Sequence, residues 1–114
     1  MDAQKRKSPH CCPAHRTIEV LNGQWKVPIV WKLADVGTLR FSQLRDALPG
    51  ITQKVLTQQL RELEADGVVR RKVYPQVPPK VEYSLTGMGK TLAPVIDAMC
   101  AWGKNRIGAR RRNN

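Results

Sequence analysis

Gln53, Lys54, Thr57, Gln58 and Arg61 fall at i, i+1, i+4, i+5 and i+8, which at about 100° per residue puts them on one face of a helix. That face carries two amides, a hydroxyl and two cations, and no acid. Side-chain amides can pair with an adenine edge and a guanidinium with a guanine edge, while ammonium and hydroxyl groups suit phosphate. The acids of the same segment, Glu62, Glu64 and Asp66, are held to its C-terminal turns. This distribution suits a helix lying N-terminus first in the major groove of duplex DNA. Thr52 stands where it can cap that helix and joins the candidate contacts, and Gly67 supplies the stop. Leu56, Gln59, Leu60 and Leu63 form a second, mainly apolar face for the core.

A second group of cations follows directly. Arg70, Arg71, Lys72 and Lys80 flank the segment Pro75-Gln76-Val77-Pro78-Pro79, whose three prolines lack backbone donors and keep it from pairing as a sheet. On either side lie two β-rich runs, residues 68–74 and 81–85. In the latter, Val81, Tyr83 and Leu85 alternate with Glu82 and Ser84 at the period of a half-buried strand. A stiff hairpin tip with cations at its flanks reads as a wing laid on the DNA backbone or in the minor groove.

These groups need a scaffold, and the punctuation of the chain supplies one. Residues 41–48 predict a short helix with Phe41, Leu44 and Leu48 at i, i+3 and i+7 and Ser42 as its cap, and Pro49-Gly50 breaks the chain before Thr52. Upstream, residues 25–35 carry Trp25, Ile29 and Leu33 at helical spacing, with Pro28 tolerable in the first turn. Residues 14–22 form a first helix ended by Gly23, and residues 38–40 a very short strand. A last helix is expected over residues 87–103, kinked at Pro94. Its stripe, Met88, Leu92, Val95, Met99 and Trp102, has the 4-3-4-3 spacing of a helix packed on another helix. Little core is left for it to cover. Ile18, Leu21, Leu92, Val95, Met99 and Trp102 are therefore assigned to a dimer interface. The expected fold class is mainly α with a small β-hairpin wing (α+β), a winged helix-turn-helix dimerising through its terminal helices.

Composition agrees with a polyanionic partner. The 114 residues hold 20 Lys and Arg against 9 Asp and Glu, a formal charge of +11, and such an excess carries a self-repulsion that usually serves nucleic-acid binding. The length fits one domain. Residues 12–103 are assigned to it, residues 1–11 to a flexible basic arm and residues 104–114 to a basic tail. No stretch approaches the roughly 20 apolar residues of a membrane span, and there is no secretory leader, so a cytoplasmic, nucleoid-associated protein without a membrane partner is expected.

Three cysteines, Cys11, Cys12 and Cys100, have no framework spacing and read as reduced thiols. Cys12 lies at the start of the first helix beside His10, His15 and Arg16, surroundings that favour a reactive thiolate. Cys12 is thus the candidate redox sensor, with Cys11 an equal alternative, while Cys100 is expected to pack as core. His10, Cys11, Cys12 and His15 are too cramped for a structural zinc site. Paired carboxylates and a glycine-rich phosphate loop are absent, so no metal, cofactor or catalytic residue is assigned, and the chain is not expected to be an enzyme.

The sequence also resembles the HxlR-type winged-helix regulators over roughly residues 12–103. The resemblance rests on Cys12-Pro13, Gly23-Gln24-Trp25, Leu39-Arg40-Phe41-Ser42-Gln43-Leu44 and Leu48-Pro49-Gly50-Ile51-Thr52. It rests also on Leu60-Arg61-Glu62-Leu63-Glu64-Ala65-Asp66-Gly67 and, most distinctively, on the run from Tyr74 to Thr86 through Pro75-Gln76-Val77-Pro78-Pro79. It implies a homodimeric transcription regulator on an inverted-repeat operator in double-stranded DNA, responsive in some relatives to oxidants, electrophiles or other small molecules, with Cys12 at the matching sensor position. Two departures, Pro28 and Lys26, are expected to alter the start of the second helix without touching the DNA-facing residues. The alternative is a winged-helix protein-interaction or general nucleic-acid-binding module without operator specificity.

Overall fold

The computed structural model describes residues 13–113, with side chains described through residue 106. The elements run α1 (Pro13–Val20), α2 (Lys26–Val36), β1 (Thr38–Arg40), α3 (Phe41–Ala47), α4 (Gln53–Ala65), β2 (Val69–Tyr74), β3 (Lys80–Leu85), α5 (Gly87–Lys90) and α6 (Ala93–Asn113). The three strands form one antiparallel sheet in the order β1-β3-β2. This is the expected winged helix-turn-helix, with the hairpin β2–β3 as wing.

One core joins the helices to one face of the sheet. Ile29, Val30 and Leu33 of α2, Leu44 of α3, Leu56, Leu60 and Leu63 of α4, and Val69, Tyr83 and Leu85 of the hairpin are buried together. Full burial of each such side chain is worth about 1.5–3 kcal/mol, and the i, i+4, i+7 spacing of the α4 leucines lets one helix face collect it. Two glycines set how α4 enters and leaves. Gly50, in the turn after α3, has φ +93°, and Gly67, after α4, has φ +78°. Both lie in the left-handed region that side chains avoid. At Gly67 a Cβ would also come within 3.2 Å of Met88 Cε.

Several boundaries differ from the sequence expectation. Ser42 does not cap α3. Gln43 reaches back instead, its Oε1 accepting from the Arg40 N–H at 2.8 Å, so the cap comes from the third helical residue. The last helix is two helices. A proline ring at position 94 clashes with a helical carbonyl four residues earlier, so the chain breaks at Thr91-Leu92 and Pro94 sits in the first turn of α6, which it does not kink. Helix α6 then runs past Gly103 to Asn113, through the segment read as a tail. Its two interior glycines, Gly103 and Gly108, cost only about 1 kcal/mol each, against good helix formers such as the Ala and Arg residues that follow.

The stripe assigned to a partner also divides. Leu21 is 6% exposed within its own core and Leu92 packs against it, so neither is an open seam residue. Leu21 lies beyond the end of α1, where the turn brings it inward. Ile18, Val95, Met99 and Trp102 do stand exposed on α1 and α6. Cys100 is exposed too, not core, because α6 has outrun the core beyond Ile96. Cys11, Cys12 and the arm of residues 1–11 lie outside the described residues.

Candidate nucleic-acid interface

Helix α4 is built to present its first turns. Thr52 is in extended conformation and its Oγ1 accepts from the Val55 N–H at 3.1 Å, the cap that the sequence predicts. No acid lies in the first turn. Gln53, Lys54, Gln58 and Arg61 are exposed, and with Thr57 and Glu62 they line one open depression on the helix surface. Thr57 is half-buried and donates its hydroxyl hydrogen to the Gln53 carbonyl at 2.8 Å, so towards a ligand it can only accept. The residues expected to contact DNA therefore share one surface of α4, with Thr57 narrower in capacity than its residue type allows.

Glu62 is the addition that periodicity did not supply. Its Oε1 lies 2.6 Å from Nζ of Lys26, a side chain buried at 5% exposure in the first turn of α2. Its Oε2 accepts from Nε2 of Gln58 at 3.3 Å. The Lys26 hydrogen bond and charge hold the Glu62 carboxyl below the usual carboxylate range, against partial desolvation that raises it, with a smaller lowering from Gln58. Lys26 thus does reach the residues expected to face DNA, through one carboxylate. The only sequence signals were a cation among the apolar residues of α2 and an acid bordering a cationic face, which no local spacing connects.

The wing cations do not share one face. Residues directly opposite in an antiparallel pair point to the same side, and the register pairs Arg70 with Ser84, Arg71 with Tyr83, Lys72 with Glu82 and Tyr74 with Lys80. Tyr83 belongs to the core, so Arg71 lies on the face towards α4, where it lines a groove with Thr57, Arg61, Glu64 and Tyr83. Arg70, Lys72 and Lys80 lie on the other face. There, Lys72 and Lys80 each hold their ammonium 4.9 Å from the centroid of the Tyr74 ring, a cation–π arrangement at the flank of the tip. Lys80 also lies 3.3 Å from Glu82. The Tyr74 hydroxyl, more than the neighbouring Lys80 and Arg40, keeps the Glu82 carboxyl low, against some desolvation. Arg70 sits apart at the base of the hairpin, in a cleft with Thr38, Ser84 and Lys90. At the far end Val77 is 99% exposed. Tyr74 and Arg40 were not singled out as site residues from sequence; the register puts Arg40 directly opposite Glu82 and Tyr74 diagonally from it on the same face.

No helix among the described residues is long and apolar enough to cross a membrane. Comparison with known proteins follows the same lines. The chain is 56% identical over 91 residues to the HTH-type transcriptional regulator YtcD of Bacillus subtilis, covering 80% of this chain and 71% of that one. An HTH-type transcriptional regulator of Methanothermobacter thermautotrophicus is 44% identical over 105 residues, 92% of this chain and 79% of its own. Among solved structures, the redox regulator HypR in its reduced form superposes with a TM-score of 0.83 at 48% identity, covering 89% of this chain and 99% of that one. The diamide-treated YodB of Bacillus subtilis does so at 0.68 and 34% identity, over 82% and 93%. The profile of the HxlR-like helix-turn-helix family matches residues 20–111, and with the capped α4 and the β2–β3 wing in place the chain belongs to that family of DNA-binding transcription regulators.

Proposed function

We propose that the protein reads specific sequences in duplex DNA as a homodimer on an inverted-repeat operator within the nucleoid, with α4 in the major groove and the wing on the backbone or minor groove. The observation that carries this is the face of α4 formed by Gln53, Lys54, Thr57, Gln58 and Arg61, which holds no acid and where the bordering Glu62 is paired with Lys26. Two copies would place their α4 helices about one helical turn, ~34–36 Å, apart along the duplex. The exposed Ile18, Val95, Met99 and Trp102 support the pairing of copies.

Labour should divide between helix and wing. Gln58→Ala and Arg61→Ala are expected to remove roughly 1–3 kcal/mol of base discrimination each, and Lys72→Ala and Lys80→Ala to weaken all sequences about equally while flattening the salt dependence. Competition binding with operator and random duplex over a range of salt measures both. Parallel losses on the two duplexes for Gln58→Ala and Arg61→Ala would defeat the assignment and favour a module without operator specificity.

The effector is proposed to be an oxidant or thiol-reactive electrophile acting at Cys12 or Cys11. The support is local charge in the sequence and the likeness to HypR and YodB, which are described as a redox regulator and by a diamide-treated form. Diamide takes the hydrogens of two thiols and leaves a disulfide, which on or near α1 would alter the spacing of two α4 helices that must both fit the groove. Operator affinity with and without diamide is expected to change in wild type and not in Cys12→Ser. A response that survives in Cys12→Ser would transfer the role to Cys11 or to the exposed Cys100.

A further inference from the structure

Among the described residues Lys26 is the one charged side chain that is buried, and its ammonium meets a carboxylate on the DNA-facing side of α4. A long, flexible, strongly hydrated ammonium is placed there only if its partner is fixed with it. Helix α2 supplies the anchor, because Ile29, Val30 and Leu33 are fully buried on the turns that follow Lys26. The Glu62 carboxylate is thereby tied to the core at one oxygen and holds Gln58 at the other. A carboxylate only accepts, so the contact determines which end of the Gln58 amide faces Glu62. One amide N–H is committed inward. The second N–H and Oε1 remain, and these are the donor and acceptor that pair with N7 and the N6 amino group of adenine.

We propose that Lys26 is a positioning residue for base recognition: acting through Glu62, it orients the Gln58 amide for an adenine edge and neutralises the carboxylate that would otherwise repel DNA beside it. The depressed proton affinity of Glu62 agrees with a carboxylate that stays ionised in this role. Without the link, Gln58 would present either end of its amide and lose more side-chain freedom on binding. This rests on the reading of α4 as the base-reading helix. The rival is a plain fastener between α2 and α4, which would tie the helices without selecting a base.

The test is selection from a randomised operator half-site by wild type, Gln58→Ala, Lys26→Met, Lys26→Arg and Glu62→Ala, with a melting curve for each protein. Gln58→Ala, Lys26→Met and Glu62→Ala are expected to lose about 5- to 10-fold of preference at one and the same base position. Preference at the position lost in Arg61→Ala should remain, and Lys26→Arg should keep most of the wild-type profile. Glu62→Ala cuts the link from its solvent side, so it decides the matter if Lys26→Met does not fold. An unchanged profile in folded Lys26→Met or Glu62→Ala, or an equal loss at every position, overturns the positioning role while leaving Gln58 as a reader. A Gln58→Ala protein with the wild-type profile overturns both the relay and the base-reading assignment of Gln58.

Discussion

Glutamate at both Met99 and Trp102 is expected to give a folded monomer that binds the intact operator at least about 100-fold more weakly than wild type, yet binds an isolated half-site nearly as well. The argument begins with exposure. Trp102 is 68% exposed and Ile18 60%, with Val95 and Met99 also open, and the described α1 buries no residue of its own. Large apolar side chains left exposed on two helices of a small basic protein are what a surface covered by a second copy would present. Because both side chains face outward, charge there should cost the protomer little, within about 0.5 kcal/mol. In a dimer the same two changes would place four carboxylates in one apolar interface, which is strongly unfavourable. Once paired, two α4 helices engage two half-sites at high effective concentration; separated, each must bind alone. Light scattering at micromolar concentration and titrations on whole and half operators read both consequences. A variant that remains a dimer, or a monomer with undiminished preference for the whole operator, would remove α6 from the interface.

Helix α4 was legible because everything needed to find it is local: a threonine cap, leucines at i, i+4 and i+7, and an acid-free polar face within one short segment. The wing was legible as a hairpin for the same reason. Which way its cations point follows from register against Tyr83 and Leu85, so the expected set Arg70, Arg71, Lys72 and Lys80 divides only when the strands are paired. Long-range features were not legible. The Lys26–Glu62 contact joins two helices far apart in sequence, and in the chain Lys26 looked like a defect in an apolar stripe. Leu21, Leu92 and Trp102 belong to similar apolar patterns, since periodicity shows that a face is apolar and not what covers it; only packing sorts the first two to the core and the third to solvent. Pro94 illustrates the converse. Its chemistry was read correctly as incompatible with a straight helix, but a break before α6 satisfies that constraint as well as a kink does.

The largest loss of stability is expected from the smallest substitution, Gly89→Ala, at about 3 kcal/mol or more. Alanine in place of glycine within a helix normally stabilises by up to about 1 kcal/mol. Here the sign reverses because of what surrounds the one turn of α5. Thr86 caps it, accepting from the Gly89 N–H at 2.9 Å while hydrogen-bonding back to the carbonyl of Gly67, and the Thr86 N–H donates to the Val68 carbonyl at 3.0 Å. These bonds draw α5 onto the start of β2, and a Cβ on Gly89 would overlap the Val68 carbonyl oxygen, with the Val68 carbon at 3.1 Å and Leu85 Cβ at 3.3 Å. Backbone atoms cannot escape by changing rotamer, and Val68 and Leu85 are themselves buried. For a chain of this size the melting temperature should fall by roughly 10–20 °C. Gly87→Ala is the matched control, since a Cβ there meets nothing within 4 Å, and it should melt at or slightly above wild type. A Gly89→Ala protein melting within about 2 °C of wild type would mean that α5 and the hairpin base separate freely. The wing would then not be held at a fixed distance from α4, and a division of labour between the two on one stretch of duplex would lose its structural basis.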